Sequence, residues 1–250
     1  MKSKRILIGI LSIVFVAVII IAVFMMFTVK EVNVNFSVYS DTANTTELQE
    51  KFDKFAGDNL IFLDTKDVES VDVGSRFEIE SVKKSYPNVL GVKVVERKER
   101  FLISISSVDY IISDQGYVLD VASGDEKLIR INLSGIVANE PVLGQKITTD
   151  HDEDFYNALT IADVEGVVDA SREMTIEYVG RTLRSVIFLT KTDVKIRIPM
   201  ATEYGKDKAE TGFDAYFNDS RDYIKSYNEI RVDIQPDGKL LAVWVQQQTN

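Results

Sequence analysis

Phe77-Glu78-Ile79-Glu80-Ser81-Val82-Lys83-Lys84-Ser85-Tyr86-Pro87-Asn88-Val89-Leu90-Gly91-Val92-Lys93-Val94-Val95 carries the pattern that decides the fold. Its first half alternates apolar and polar residues with the period of a pleated strand, and its second half is apolar with Lys93 inside it. Pro87-Asn88 separates the two runs, and punctuation of that chemistry between strand-like segments predicts a hairpin.

Towards the N-terminus, Asn44-Thr45-Thr46-Glu47 supplies a helix-start signal. Leu48, Phe52 and Phe55 follow at helical spacing, and Gly57 is the stop. A second, shorter helix is expected between 59 and 75, capped by Asp64 or Thr65 and carrying Val68 and Val71. Before both, Val29 to Val38 alternates with period two and is rich in β-branched residues, which predicts a strand. Strand, helix, helix, strand, strand makes a compact α+β unit with its helices on one face of a small sheet.

Further out, Ile6 to Phe27 contains no charged residue. At about 1.5 Å per helical residue it reaches roughly 33 Å, against a hydrocarbon core of about 30 Å. A cleaved signal peptide has a shorter apolar region and a small-x-small exit, whereas the exit here is Phe24-Met25-Met26-Phe27-Thr28-Val29. The segment is therefore read as an uncleaved anchor. Lys2, Lys4 and Arg5 precede it while Lys30 and Glu31 roughly cancel after it, so the N-terminus is expected in the cytoplasm and the rest outside, a single-pass type II topology.

With those three basic residues set aside, 26 of the 29 basic residues face all 39 acidic ones beyond the span, a net charge of −13. That excludes nucleic acid as an expected partner and predicts repulsion from an anionic lipid surface. The chain has no cysteine. Disulfide frameworks, thiol catalysis and cysteine metal sites are thereby excluded, and a bacterial surface or periplasmic setting is favoured.

Beyond the hairpin the pattern is mostly strand: 101–105, 110–112, 117–119, 128–133, 174–179, 186–189 and 194–198, with turns at Asp114-Gln115-Gly116, Ser123-Gly124-Asp125 and Lys191-Thr192-Asp193. This predicts a mainly antiparallel β-domain interrupted by two helices. One runs from about Asp152 to Ala162; the other runs from about Ala209 to Ile224 with Phe213, Tyr216 and Phe217 on its apolar face. The chain closes with Glu229 to Gln235, the turn Pro236-Asp237-Gly238, and the strand Lys239-Leu240-Leu241-Ala242-Val243-Trp244-Val245. A tail, 246–250, follows.

Catalytic motifs are absent: there is no Gly-rich phosphate loop, G-x-S-x-G or H-E-x-x-H. His151, the single histidine, lies in Asp150-His151-Asp152-Glu153-Asp154. Such donors can ligate a divalent ion, but acidic residues in a first helical turn equally complement the helix dipole, which is the reading adopted. Acidic pairs such as Asp67 with Glu69, or Asp219 with Asp222, suit glycan hydrolysis in principle, yet 39 acidic residues produce such pairs by chance. No catalytic, cofactor-binding or metal residue is assigned, and no small-molecule substrate is expected. For the last strand two readings stand open: an edge offering its backbone to another chain, or a strand zipped into the sheet with Trp244 as core filler.

Val82 to Lys98, in which Tyr86-Pro87-Asn88 leads into an alternating strand ending Glu96-Arg97-Lys98, resembles the hairpin of the bacterial cell-division family FtsQ/DivIB. Tyr110-Ile111-Ile112-Ser113-Asp114-Gln115-Gly116-Tyr117-Val118-Leu119 is similar to that family's strand, Asp-x-x-Gly, strand segment, and Val232-Asp233-Ile234 before the last turn and Trp244 fits too. Glu99 departs from the proline usual after Glu-Arg-Lys. The resemblance implies a cytoplasmic stub (1–5), a transmembrane helix (6–27), a POTRA-type domain (28–98) and a β-domain (99–245). It further implies a non-enzymatic divisome scaffold at the septum with FtsL-type and DivIC/FtsB-type partners, which dock on residues 239–245 with Trp244 as an apolar anchor. On this reading proline at Leu241 would block strand pairing. The alternative is a membrane-anchored protein that binds or cleaves the cell wall.

Overall fold

The computed structural model describes residues 2–39, 44–124, 126–164, 166–180, 182–223 and 227–246, with side chains from Leu11 onward and without those of 219–223. It is a mixed α+β chain that divides into two compact units, Met1–Glu96 and Arg97–Asn250.

In the first unit, α1 (Lys2–Met26) leads into β1 (Glu31–Ser37), α2 (Thr45–Asp53), α3 (Thr65–Glu69), β2 (Phe77–Ser85) and β3 (Val89–Glu96). The capping chemistry read from the sequence is present. The Asn44 side chain accepts from the Glu47 amide to start α2, and Asp64, rather than Thr65, accepts from the Lys66 amide to start α3. The sheet order is β1-β3-β2. β2 and β3 form the expected hairpin, and the register slips between Ile79 and Ser81, where the apolar and polar alternation of the sequence also slips. β1 runs parallel to β3, which requires a crossover, and α2 and α3 supply it. Phe52, Phe55, Leu60 and Val68 pack on Leu90, Val92 and Val94 of the central strand.

The apolar segment lies inside α1. Among the described residues no helix is long and apolar enough to cross a membrane. Large apolar side chains of α1 are exposed from Leu11 to Met26.

The second unit comprises β4 (Glu99–Ile105), β5 (Val108–Ser113), β6 (Val118–Val121), β7 (Ile129–Ser134), α4 (Asp152–Ile161), α5 (Val167–Ala170), β8 (Ser171–Val179), β9 (Thr182–Thr190), β10 (Lys195–Pro199), α6 (Gly205–Tyr223), β11 (Glu229–Ile234) and β12 (Leu240–Val245). They build one nine-stranded sheet, β12-β11-β10-β9-β8-β7-β4-β5-β6. The sheet is mainly antiparallel, as expected, with five of its eight neighbouring pairs so arranged, but β4 with β7, β7 with β8, and β10 with β11 are parallel. The physical reason is in the connections: parallel neighbours need a long crossover, and the helices expected merely to interrupt the strands are the crossovers from β7 to β8 and from β10 to β11. One expectation needs correcting: among the described residues there are three helices rather than two, since α5 adds a short turn behind Gly166.

Helix α6 begins at Gly205, ahead of the expected Ala209, and packs on β10, β11 and β12. Ala209, Phe213 and Tyr216 are buried, but Phe217, expected beside them, is 53% exposed. A helix turns by about 100° per residue, so Tyr216 takes the sheet side and its neighbour is carried to the flank. The core joins this helical layer to one face of the sheet, while Leu102, Ile111 and Leu119 form a small second cluster. Asp125 of the expected turn, Ile224 and tail residues 247–250 lie outside the described residues.

Candidate functional site

The terminal hairpin follows from its turn. Gly238 adopts φ +83°, its amide donates to the Gln235 carbonyl at 2.8 Å, and the Gln235 amide donates to the Lys239 carbonyl at 2.8 Å. This is a three-residue loop with glycine in the left-handed position, a connection that sets register. The pairing then runs from Ile234 with Leu240 to Glu229 with Val245 without a slip. Lys239, expected in the strand, is the last residue of the turn and is followed by β12.

That register sorts the backbone of β12. Antiparallel pairs alternate between hydrogen-bonded and non-bonded. Since Gln235 and Lys239 are bonded, Leu241, Val243 and Val245 direct their amides and carbonyls to β11. Leu240, Ala242 and Trp244 direct theirs to the other side. β12 ends the strand order, so among the described residues no strand occupies that side.

Side chains alternate as well. Leu240, Ala242 and Trp244 are half-buried against the core, whereas Leu241, Val243 and Val245 are 44%, 40% and 37% exposed. The strand thus offers outward backbone groups at its core-facing positions and a row of exposed apolar side chains at the alternate ones. Trp244, expected as the apolar anchor, rests against the body of its own unit. The sheet's opposite edge, β6, is four residues long and its pairing with β5 slips. Short and bulged edges resist strand addition, whereas β12 has six residues in regular register.

Two features absent from the sequence reading steady this edge. Lys208 of α6 is 1% exposed, and its Nζ donates to the carbonyls of Pro199 and Met200 at 2.9 and 3.1 Å, where β10 ends and Met200 turns with φ +44°. Burial pushes its ammonium below the usual lysine range. Arg197 of β10 binds Glu229 of β11 at 2.9 Å and Glu177 of β8 at 3.2 Å, and Ser185 of β9 donates to Glu177 at 2.6 Å. The Ser185 hydroxyl and then the Arg197 charge hold the Glu177 carboxyl below its usual range, against burial. A long-range carbonyl partner for a lysine has no local sequence signature, and neither does a four-strand ion network.

The chemical alternatives fare differently. The His151 ring stacks on Tyr178 at 4.0 Å, and its Nε2 lies 4.0 Å from Asp150. Asp152 accepts from both the amide and the hydroxyl of Thr149. No group of three or more metal-ligating side chains occurs among the described residues. Asp67 and Glu69 sit two apart on α3, and so point to different sides. Asp219 and Asp222 lie outside the described side chains.

No family model matches the chain. A curated relative named cell division protein DivIB, from Clostridium botulinum strain Hall, is 24% identical over 184 residues, covering 73% of this chain and 69% of the relative. Its counterpart from strain Loch Maree is 23% identical over the same shares. The chain is thus similar to cell division proteins named DivIB. A solved structure of the major extracytoplasmic domain of the trans isomer of the cell division protein DivIB from Geobacillus stearothermophilus is also similar, with 13% identity and a TM-score of 0.34, over 50% of this chain and 97% of that one.

Proposed function

We propose that the chain is a non-enzymatic division scaffold that captures an extended segment of a partner protein by strand addition to β12. The observation that carries this reading is the regular six-residue edge with outward backbone groups at Leu240, Ala242 and Trp244. Main-chain pairing would supply affinity, and the exposed Leu241, Val243 and Val245 would supply selectivity. FtsL-type and DivIC/FtsB-type division proteins are the proposed partners. Residues 6–27 would cross the membrane, with 1–5 cytoplasmic, and a POTRA-type domain (28–98) and a β-domain (99–245) would stand outside at the septum. The exposed apolar surface of α1 and the exclusion of charge from Ile6 to Phe27 support that topology.

The test is a proline placed by register. Ala242→Pro deletes an outward donor and leaves the hairpin's own ladder intact, whereas Leu241→Pro deletes a donor directed to β11. Full-length Ala242→Pro is expected to keep its circular dichroism and melting temperature and to lose co-purification of the FtsL-type and DivIC/FtsB-type proteins. Undiminished capture by the folded variant would refute strand addition.

A further inference from the structure

The end of α1 is not a free tether. Carbonyls in its last turn and just beyond it, a place where an isolated helix leaves such groups without partners, are met by the loop after α2. The Asn59 side-chain amide donates to the Phe24 carbonyl at 2.9 Å, and the Leu60 amide donates to the Phe27 carbonyl at 2.7 Å. Val29, immediately after the helix, is 2% exposed; its amide donates to the Asp58 carbonyl at 2.7 Å and its carbonyl accepts from the Gly57 amide at 2.9 Å. The Lys30 amide then donates to the Asn88 carbonyl at 2.9 Å, in the turn of the β2–β3 hairpin. The stretch leaving the helix is therefore joined by backbone hydrogen bonds to the loop and to the hairpin turn, and the helix itself is joined to the loop through the Asn59 side chain.

That junction also gathers large apolar side chains into solvent. The Phe62 ring stacks on Phe24 with centroids 6.0 Å apart, and the Tyr86 ring meets Phe27 edge-on at 5.9 Å. Phe62 is 74% exposed and Tyr86 60%, with Ile61 beside them also exposed. Phe24 and Phe27 are the last aromatic residues of the charge-free segment. At about 1.5 Å of rise per residue they are separated by about 5 Å along the axis, so rings packed against them share the depth of the final helical turn.

We propose that Phe24, Ile61, Phe62 and Tyr86 form an apolar collar that inserts into the interfacial layer of the lipid bilayer and seats the first unit on the membrane surface. The inference rests on reading α1 as a membrane span and adds to it a second point of lipid contact, made by a loop and a turn outside the span. Aromatic rings favour that layer because their faces are apolar and their edges tolerate water. Lys30, bonded through its amide to the hairpin turn, and Asp58, bonded through its carbonyl to Val29, adjoin the collar and carry opposite charges. Seating is thus apolar and independent of lipid charge, which reconciles lipid contact with an acidic ectodomain expected to be repelled by an anionic surface.

The chain's single tryptophan makes the test direct. In a Trp244→Phe background, Phe62→Trp, Tyr86→Trp, Val18→Trp and Val121→Trp are each reconstituted as full-length protein in phosphatidylcholine vesicles carrying bromine on the acyl chains, both near the glycerol and towards the chain ends. The Phe62→Trp, Tyr86→Trp and Val18→Trp variants are expected to show blue-shifted emission and to lose most of it to bromine, while Val121→Trp keeps its emission. Adding phosphatidylglycerol should leave this pattern unchanged. Quenching of Val18→Trp with full emission from Phe62→Trp and Tyr86→Trp would overturn the collar and leave the span standing. Full emission from all three would overturn both. Quenching that needs anionic lipid, or that extends equally to Val121→Trp, would mean non-specific adsorption and would also overturn the proposal.

Discussion

Single residues in the second unit carry stability that no local pattern announces. Lys208 looks like a solvent-facing helical lysine in the sequence, yet it is buried and neutralises the backbone where β10 ends. Lys208→Met keeps the stem and removes the charged donor from both carbonyls, leaving that of Met200 with the Glu203 amide alone. Hydrogen bonds to a charged group contribute about 1.5–3 kcal/mol, so the variant should melt several degrees lower by circular dichroism, and an unchanged melting temperature would refute the assignment. Acid should act through carboxylates. Hydrogen bonds from Arg130 and Ser104 lower the Asp109 pKa despite burial, and Ser185 with Arg197 lowers that of Glu177. A carboxylate whose folded pKa lies below its unfolded value of about 4 stabilises the fold above that pH. The contribution disappears as pH falls through the lowered folded values. Stability should therefore decline below about pH 4, and the decline should be shallower in Asp109→Asn/Glu177→Gln. Equal acid sensitivity of the two proteins in pH-dependent thermal melts would exclude these groups as the cause. Exposed Glu126 is drawn down to about 2, chiefly by the Ser123 hydroxyl and backbone.

Elements were the most legible level. Asn44 and Asp64 each bond the amide expected of a helix cap, and Pro87-Asn88 separates the two strands of a real hairpin. These signals are local, set by groups a few residues apart, so the chain alone exposes them. Tight packing between elements is different. Gly212 of α6 reads as a mild helix weakener, but a Cβ there would come within 2.8 Å of Ile196 and 3.0 Å of Val232, both fully buried. Replacing glycine by alanine gains about 1 kcal/mol of helix propensity, whereas overpacking a core costs about 1–3 kcal/mol. The neighbours here are branched side chains in central strands with little room to yield, so overpacking wins. Gly212→Ala is expected to lower stability by about 1 kcal/mol in denaturant unfolding; a more stable variant would show that α6 can lift off the sheet freely.

At the scale of the molecule, the proposed topology predicts that protease added to intact spheroplasts digests the chain beyond Val29 and spares an N-terminal tag. Protection of the C-terminal portion would invert the orientation. The charge-free run, the basic stub, the lack of cysteine and the acidic excess are properties of composition and order, and the sequence by itself determined them. It also determined most helices and most strands, because caps, turns and periodicity act between near neighbours; the short α5 escaped it. Only the tertiary structure decided which strands lie side by side, that four of the described pairs are parallel, and that β12 ends its sheet with the Ala242 backbone facing outward and that of Leu241 facing β11. It alone brought Phe62 onto Phe24 and Tyr86 onto Phe27. Those outcomes depend on contacts between residues far apart in the chain, whose energies are settled by packing against the whole fold rather than by any pattern within one segment.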